Sequence, residues 1–431
     1  MSAKTIQFTI KNPSTDRVPD KSYAGSELNR SISGLVLILC LPFILVNTLL
    51  AIVTKKPVLE LVRKKDCLGR VVEYCHFTCG VMKNIAVLGA IFRKRISLCG
   101  MPLDIELTNE QRIELLGYSH IPAGLVDAIN VRQSGGLSMV NKVVLLKKQF
   151  TGTRTDYLAL LLKGVISQFV FKGQNASLNS PATFNIFGLK INNVSMDEAV
   201  RWVMAAPGKT SKKQHCKVGC FVNVNSVNLI HQLPQLKVHL NQADQCFVDG
   251  SGMRIAAKKI GIQLKGNVNG TDMLPDLCRA ASISGASIYL LGAKPGVAKA
   301  AAQNLRLQYP DLSIAGAEHG YFEAHNCNTV IEKINQSRAD ILLLAMGSPV
   351  QEKWLIEHAP LIHCRTALAV GGLFDFYSGS ISRAPLWMRE LGMEWLWRLI
   401  QEPQDKFYRY VIGNPLFLIR IFILNHANKG S

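Results

Sequence analysis

Asp249 follows the apolar run QCFV and precedes Gly250-Ser251-Gly252. A carboxylate at the end of a buried strand can serve as a general base, and the glycines after it let a substrate come close to the backbone. The same residue can equally be the N-cap of the helix that runs through RIAAKK. Three other apolar runs end in small or polar residues: FVNVN supplies Asn223 and Asn225, YLLGAKPG supplies Gly292 and Gly296, and LAMGSPVQE supplies Gly347, Gln351 and Glu352. The ends of buried parallel strands are where open α/β sheets bind ligands, and helix N-termini there offer free N–H groups to phosphates. Taken singly, a glycine-rich turn is most often only a tight turn, and GAKPG is no Walker loop. Together the four strand ends point to a nucleotide site.

Other candidates carry less. Asp272 in NGTDMLPDL reads as a helix cap, Asp375 in GGLFDFYSG as cap or acid, and His319 beside Gly320 as a group that could polarise a substrate or simply be structural. There is no Asp-x-Asp to hold a nucleotide-bound metal, no Gly-x-Ser-x-Gly elbow and no His pair at metal spacing, so neither a metal site nor a cofactor is expected. Near the C-terminus Arg383, Arg398 and Arg409 are interleaved with Trp387, Trp395, Trp397, Phe407 and Tyr410. That mixture suits a membrane interface and a pyrophosphate, and it also suits a packed terminal helix pair.

The elements that must position these residues are strands alternating with helices. FNIFGLKI, KVGCFVNV, QCFVDG, ASIYLLGA, ADILLLAMG and TALAVGG read as buried strands of a doubly wound, Rossmann-like α/β domain. Upstream, residues 1–29 are polar and without apolar periodicity, which predicts a flexible tail. Residues 31–54 are 24 positions without a charge, flanked by Arg30 and by Lys55-Lys56. As one helix they would reach about 36 Å, enough to span a bilayer. Pro42 and the basic residues on both flanks fit a re-entrant or interfacial segment better, with both ends in the cytosol. Residues 51–175 carry 18 Lys and Arg against 9 Asp and Glu, a net +9, as expected of a domain on an anionic membrane surface or simply of a solvated face.

Composition agrees with this division. The 431 residues leave room for two or three domains, and 48% are hydrophobic, rich for a soluble enzyme. The net charge of +19 is dispersed and accompanies no nucleic-acid module, which favours membrane and phosphorylated substrates over nucleic acid. The 11 cysteines are scattered, and the closest pairs, Cys75/Cys79 and Cys216/Cys220, lack metal-type spacing, so they read as reduced thiols of a cytosolic chain.

The ordered run FVNVN, VDGSG, NGTDM, LLGAKPGVA, GYF, MGSPVQEKW, AVGGLFDFYSG and RAPLWMRELGMEWLWRL closely resembles the WecG/TagA/CpsF glycosyltransferases over roughly residues 182–420. The resemblance implies metal-independent, inverting transfer of N-acetylmannosamine, its uronic acid or a related hexose from a UDP-sugar to a polyprenyl-diphosphate-linked glycan. It makes Asp249 the base on the acceptor hydroxyl and has Gly347 and Gln351 hold the donor. It closes the C-terminal arginines over the leaving diphosphate. This chain departs from the family at Asn223, where Thr is usual, at Asn267, where Arg is usual, and at Gln404-Asp405, where paired Arg is usual.

The N-terminal part resembles the monotopic phosphoglycosyl transferases in KKPVLELVRKKDCLGR, ISLCGMPL and IPAGLVDAINVRQSGG. Counting back from Ser97, that family's catalytic Asp-Glu dyad falls on Lys83 and Asn84, neither of which can be a carboxylate nucleophile.

The expectation is thus a polar tail at 1–29, a membrane-associated, α-rich, degenerate phosphoglycosyl transferase-like domain at 30–175, the glycosyltransferase domain at 176–381 and a helical appendage at 382–431. The site is Asp249 as catalytic base, with Asn223, Asn225, Gly250, Gly292, Gly347, Gln351, Glu352, Arg383, Arg398 and Arg409 binding substrate. Expected partners are the UDP-sugar, the lipid-linked acceptor and membrane lipids, with a homo-oligomer left open. The expected location is the cytoplasmic face of the bacterial inner membrane, anchored by residues 31–54. A bifunctional enzyme with a working first domain and a non-catalytic scaffold are the alternatives.

Overall fold

The computed structural model describes residues 26–80, 83–134, 141–171, 180–205, 216–322 and 327–427, so the tail up to residue 25 lies outside the described residues. The chain divides into two compact units, one made of residues 1–129 and 141–162, the other of 130–140 and 163–431.

In the first unit, residues 26–29, expected in the tail, already belong to helix α1 (Ser26–Leu39). Asn29 is buried there because its amide donates to Ser97 Oγ at 2.7 Å and accepts from Leu98 N at 3.1 Å. Helix α2 (Leu41–Val53) follows after Cys40 with a bend of 62°. The break has a physical reason: Pro42 has no N–H for the carbonyl of Ile38, and its ring would clash with that carbonyl. Among the described residues no single helix is long and apolar enough to cross a membrane, while the bent pair passes that test jointly. Alongside its helices the unit holds an antiparallel pair, β1 (Leu59–Lys65) with β2 (Val71–Phe77), and a parallel pair, β3 (Ser97–Cys99) with β4 (Gly124–Val126), which the α-rich expectation left out.

The second unit is built on one eight-stranded sheet. Its strands are β5 (Thr183–Ile186), β6 (Leu189–Asn192), β7 (Lys217–Val222), β8 (Gln245–Val248), β9 (Ser287–Gly292), β10 (Ser313–Glu318), β11 (Ile341–Ala345) and β12 (Thr366–Ala369). Their order is β10-β9-β11-β12-β7-β8-β6-β5, and all neighbours are parallel except the β5-β6 hairpin. Central parallel strands are covered on both faces, which is why β9, β11 and β12 are nearly continuous apolar runs. Alternate residues feed two cores: Leu342 and Leu344 pack on one face with Val222, Leu291 and Ala369, while Ile341 and Leu343 pack on the other with Phe221, Phe247, Leu290 and Leu368. Each fully buried Leu contributes about 1.5–3 kcal/mol to the fold.

FNIFGLKI, expected as one strand, is two: Phe187 and Gly188 both take left-handed conformations, at φ 54° and 77°, and make the two-residue hairpin turn. Strand β10, missing from the expected set, lies on the sheet edge with a bulge between Ile314 and Gly316.

Candidate active site

At the end of β7, Asn223 caps helix α3 (Val224–Gln232), its Oδ1 accepting from the N–H groups of Asn225 at 3.0 Å and Ser226 at 3.2 Å. The other end of the same amide is turned outward: Nδ2 donates to Asp249 Oδ2 at 3.0 Å. Strand β8 stays in register one residue past its end, because Asp249 N donates to Val222 O at 2.9 Å. Gly250 then adopts φ 90°, ψ 165°, a conformation open essentially to glycine alone, and its N–H donates to Asn267 Oδ1 at 2.6 Å. Gly250 occupies the N-cap position of helix α4 (Ser251–Lys259), with no side-chain cap. Asp249 is therefore not a helix cap.

Asp249 is half-buried, and burial pushes its carboxyl up to about 6, countered by the Asn223 hydrogen bond and the Arg409 charge and reinforced by Glu394 and Asp272. A carboxylate with that value is ionised at neutral pH yet basic enough to take a proton. The side chain of Asn225 has no partner among the described residues and stands half-buried beside Asn223.

A second polar group lies on helix α5 (Gly270–Ser284). Its cap is Asn269, not the expected Asp272: Asn269 Oδ1 accepts from Asp272 N at 2.8 Å, and Asn269 Nδ2 donates to Asp272 Oδ2 at 2.7 Å. The cap position falls to Asn269 because its backbone is extended, at φ −102° and ψ 149°, while Asp272 is already helical. Asp272 Oδ1 instead accepts from Arg383 Nη2 at 2.6 Å, and Arg383 Nε donates to Glu394 Oε1 at 3.5 Å. Burial raises the Glu394 carboxyl above its ordinary value, Arg383 holding it back.

The strand ends across the sheet are organised differently. Beyond β11, Gly347 (φ 78°), Ser348 and a cis Pro349 lead into helix α6 (Val350–His358). Gln351, only 4% exposed, turns inward: its Oε1 accepts from Gly347 N at 3.2 Å and Gly371 N at 3.0 Å, tying the loops after β11 and β12 together. Its Nε2 donates to Glu352 Oε1 at 2.9 Å, and Ser348 Oγ donates to the same oxygen at 2.5 Å. Glu352 is 1% exposed. Gln351 and Glu352 thus act inside the protein as positioning residues. Gly292 serves close packing: at φ 138°, a Cβ on it would meet Ala345 O at 2.3 Å.

In the C-terminal helices Glu394–Gln401 and Pro403–Phe407, Arg398 pairs with Glu402 at 2.7 Å and lies over the Phe376 ring at 4.8 Å. Burial raises the Asp375 carboxyl, partly offset by Arg398. Among the described residues the buried Nε atoms of Arg398 and Arg409 have no hydrogen-bond partner.

The profile of the Glycosyl transferase WecG/TagA/CpsF family matches residues 184–430. The chain belongs to that family. Family membership makes it a glycosyltransferase of cell-surface polysaccharide biosynthesis. Within this glycosyltransferase unit the structure brings together Asp249, Asn223, Asn225 and Gly250, with the charge of Arg409 felt at Asp249. Asp249 and Gly347 lie three strands apart in the sheet order, about 14 Å at the usual spacing. His319 follows edge strand β10, five strands from β8 and about 24 Å away, and its Nδ1 accepts from Tyr321 N. Sequence reasoning missed Glu394, and it named Arg383 and Asp272 without seeing that they pair. Arg383 and Asp272 are 111 positions apart, and no local spacing links them.

Proposed function

We propose that this glycosyltransferase moves a hexose from a UDP-sugar to a polyprenyl-diphosphate-linked acceptor, with inversion and without a metal. Asp249 carries the reading: a carboxylate raised to about 6, oriented by Asn223 at a strand end whose glycine leaves the approach open. The acceptor hydroxyl oxygen attacks the anomeric carbon as the bond from that carbon to the UDP oxygen breaks. Its proton passes to Asp249, and UDP leaves with the bonding electron pair, its charge met by Arg398 and Arg409. Asn225 is free to bond the substrates, while Gln351 and Gly347 shape the donor side through the backbone they hold.

The reading extends to the N-terminal unit as a degenerate phosphoglycosyl transferase-like anchor. Supporting it are the apolar side chains on the bent pair, with Leu35, Ile38, Leu45, Leu49 and Ile52 all at least 60% exposed, which a lipid phase would cover. Lys83 and Asn84 stand in a short 3-10 turn, where Lys83 Nζ donates to Thr78 O at 2.8 Å. Neither can form a covalent sugar-phosphate intermediate, so this unit holds the enzyme at the cytoplasmic face without making a lipid-diphosphate sugar.

The test is UDP release by the full chain in lipid nanodiscs over a panel of UDP-sugars with a synthetic lipid-diphosphate acceptor. UDP release that depends on acceptor is expected, with no UMP release from polyprenyl phosphate. Absence of UDP release with every donor would overturn the reading, and UMP release lost on removing residues 31–162 would make the first unit an enzyme.

A further inference from the structure

The second unit carries an open groove of about 310 Å³, lined by Asn304, Gln308, Phe376, Tyr377, Gly379 and Arg383. Two of these belong to the helix Val297–Gln308 and two to the short helix Leu373–Tyr377; the two helices pack against each other, the first of them against β9 and β10. Bonds among the lining residues and to their neighbours hold its walls in place. Asn304 Nδ2 donates to Tyr377 O at 2.9 Å, the Tyr377 hydroxyl donates to Thr271 O at 3.0 Å, and the Phe376 ring is pinned by the Arg398 guanidinium.

What those bonds leave over is informative. Among the described residues Asn304 Oδ1 accepts nothing, the Gln308 amide has no partner, and Arg383 uses Nη2 and Nε but not Nη1. An acceptor, an amide that both gives and accepts, and a cationic donor therefore surround the aromatic wall of Phe376 and Tyr377. Apolar and aromatic walls with a few oriented polar groups make a binding site for a molecule with an apolar face and a rim of hydroxyls, and the volume lies within the range of small-molecule sites. A hexopyranose has that shape and chemistry.

Arg383 joins the groove to the reaction. The same guanidinium that lines it bonds Asp272 and Glu394, and both of those charges bear on Asp249. We propose that the groove is a saccharide subsite, holding a hexose ring of the glycosyl donor or of the lipid-linked acceptor. This rests on the proposed function for the substrate's identity, but the binding itself does not.

Two measurements on the full chain test it. Gln308→Trp fills the groove from an exposed position without breaking a bond, and Gln308→Ala removes only the amide. Ligand-observed NMR with a free N-acetylhexosamine should show saturation transfer from the wild type that Gln308→Trp abolishes at unchanged melting temperature. In steady-state assays Gln308→Trp should raise one KM about tenfold, equivalent to about 1.4 kcal/mol of binding, with kcat within about twofold. A rise in the donor KM places the donor hexose there, and a rise in the acceptor KM places an acceptor ring. Unchanged transfer together with unchanged KM for both substrates would overturn the subsite. Saccharide binding lost in Gln308→Trp by a wild type that releases no UDP would instead sink the proposed function and leave the subsite standing.

Discussion

Two halves of the same sheet edge use polar residues in opposite ways. After β7 and β8, Asn223 turns one end of its amide to the backbone and offers the other to the half-buried carboxylate of Asp249. After β11 and β12, Gln351 and Glu352 are equally polar and equally near a strand end, yet both are buried and bond Gly347, Gly371 and Ser348. The first half presents a titratable group, and the second builds a rigid backbone cradle. A strand-end position alone therefore does not make a side chain a ligand. What decides is whether its hydrogen-bonding capacity is used up inside the protein.

The largest effect should come from breaking the first half. Asp249→Asn keeps the shape and can keep the bond to Asn223 but cannot accept a proton, and general-base catalysis is typically worth about 10²–10⁴-fold. Turnover should fall by at least roughly 10²-fold with UDP binding and melting temperature retained. Near-normal turnover would remove Asp249 from the chemistry. His319 is too distant to replace it.

Breaking the second half should act through folding first. Gln351→Ala leaves the N–H groups of Gly347 and Gly371 without their partner, at about 1–3 kcal/mol for each buried group left unsatisfied. The glycosyltransferase unit should lose several degrees of melting temperature, at about 2–4 °C per kcal/mol for a domain of this size, and donor KM should rise with the loosened cradle. A higher donor KM at unchanged melting temperature would mean that Gln351 turns to the ligand after all.

The strand-end position of Asp249 was readable from sequence, because an apolar run leads into it and Gly-Ser-Gly follows, although base and helix cap stayed equally open there; its partner Asn223 sat at the end of a second such run. The inward turn of Gln351 was not readable, since its acceptors' N–H groups come from two loops that meet only through the sheet. The same limit applies to the fold. Strands β9, β11 and β12 announce themselves by apolar residues on both faces, whereas edge strand β10, SIAGAE, is half-exposed and interrupted by glycine. The β5-β6 turn was hidden because Phe187, a poor turn residue, takes the left-handed position beside Gly188.

The smallest effect is the sharpest probe of the first half, because Asn223 has two separable jobs. Its hydrogen bond favours the ionised form of Asp249, so removing it should move the carboxyl further above about 6. A base must be ionised to work, so kcat/KM of the wild type should climb with pH through about 6, and the acid limb should shift to higher pH in both Asn223→Ala and Asn223→Ser. The helix sees the two variants differently. Serine caps about as well as asparagine but is too short to reach Asp249, whereas alanine forfeits the cap, typically about 1 kcal/mol. Equal shifts of the limb with a lower melting temperature in the alanine variant alone are expected. A limb that stays in place in both variants would show that Asn223 only caps the helix and that burial and the surrounding charges set the basicity of Asp249 without it.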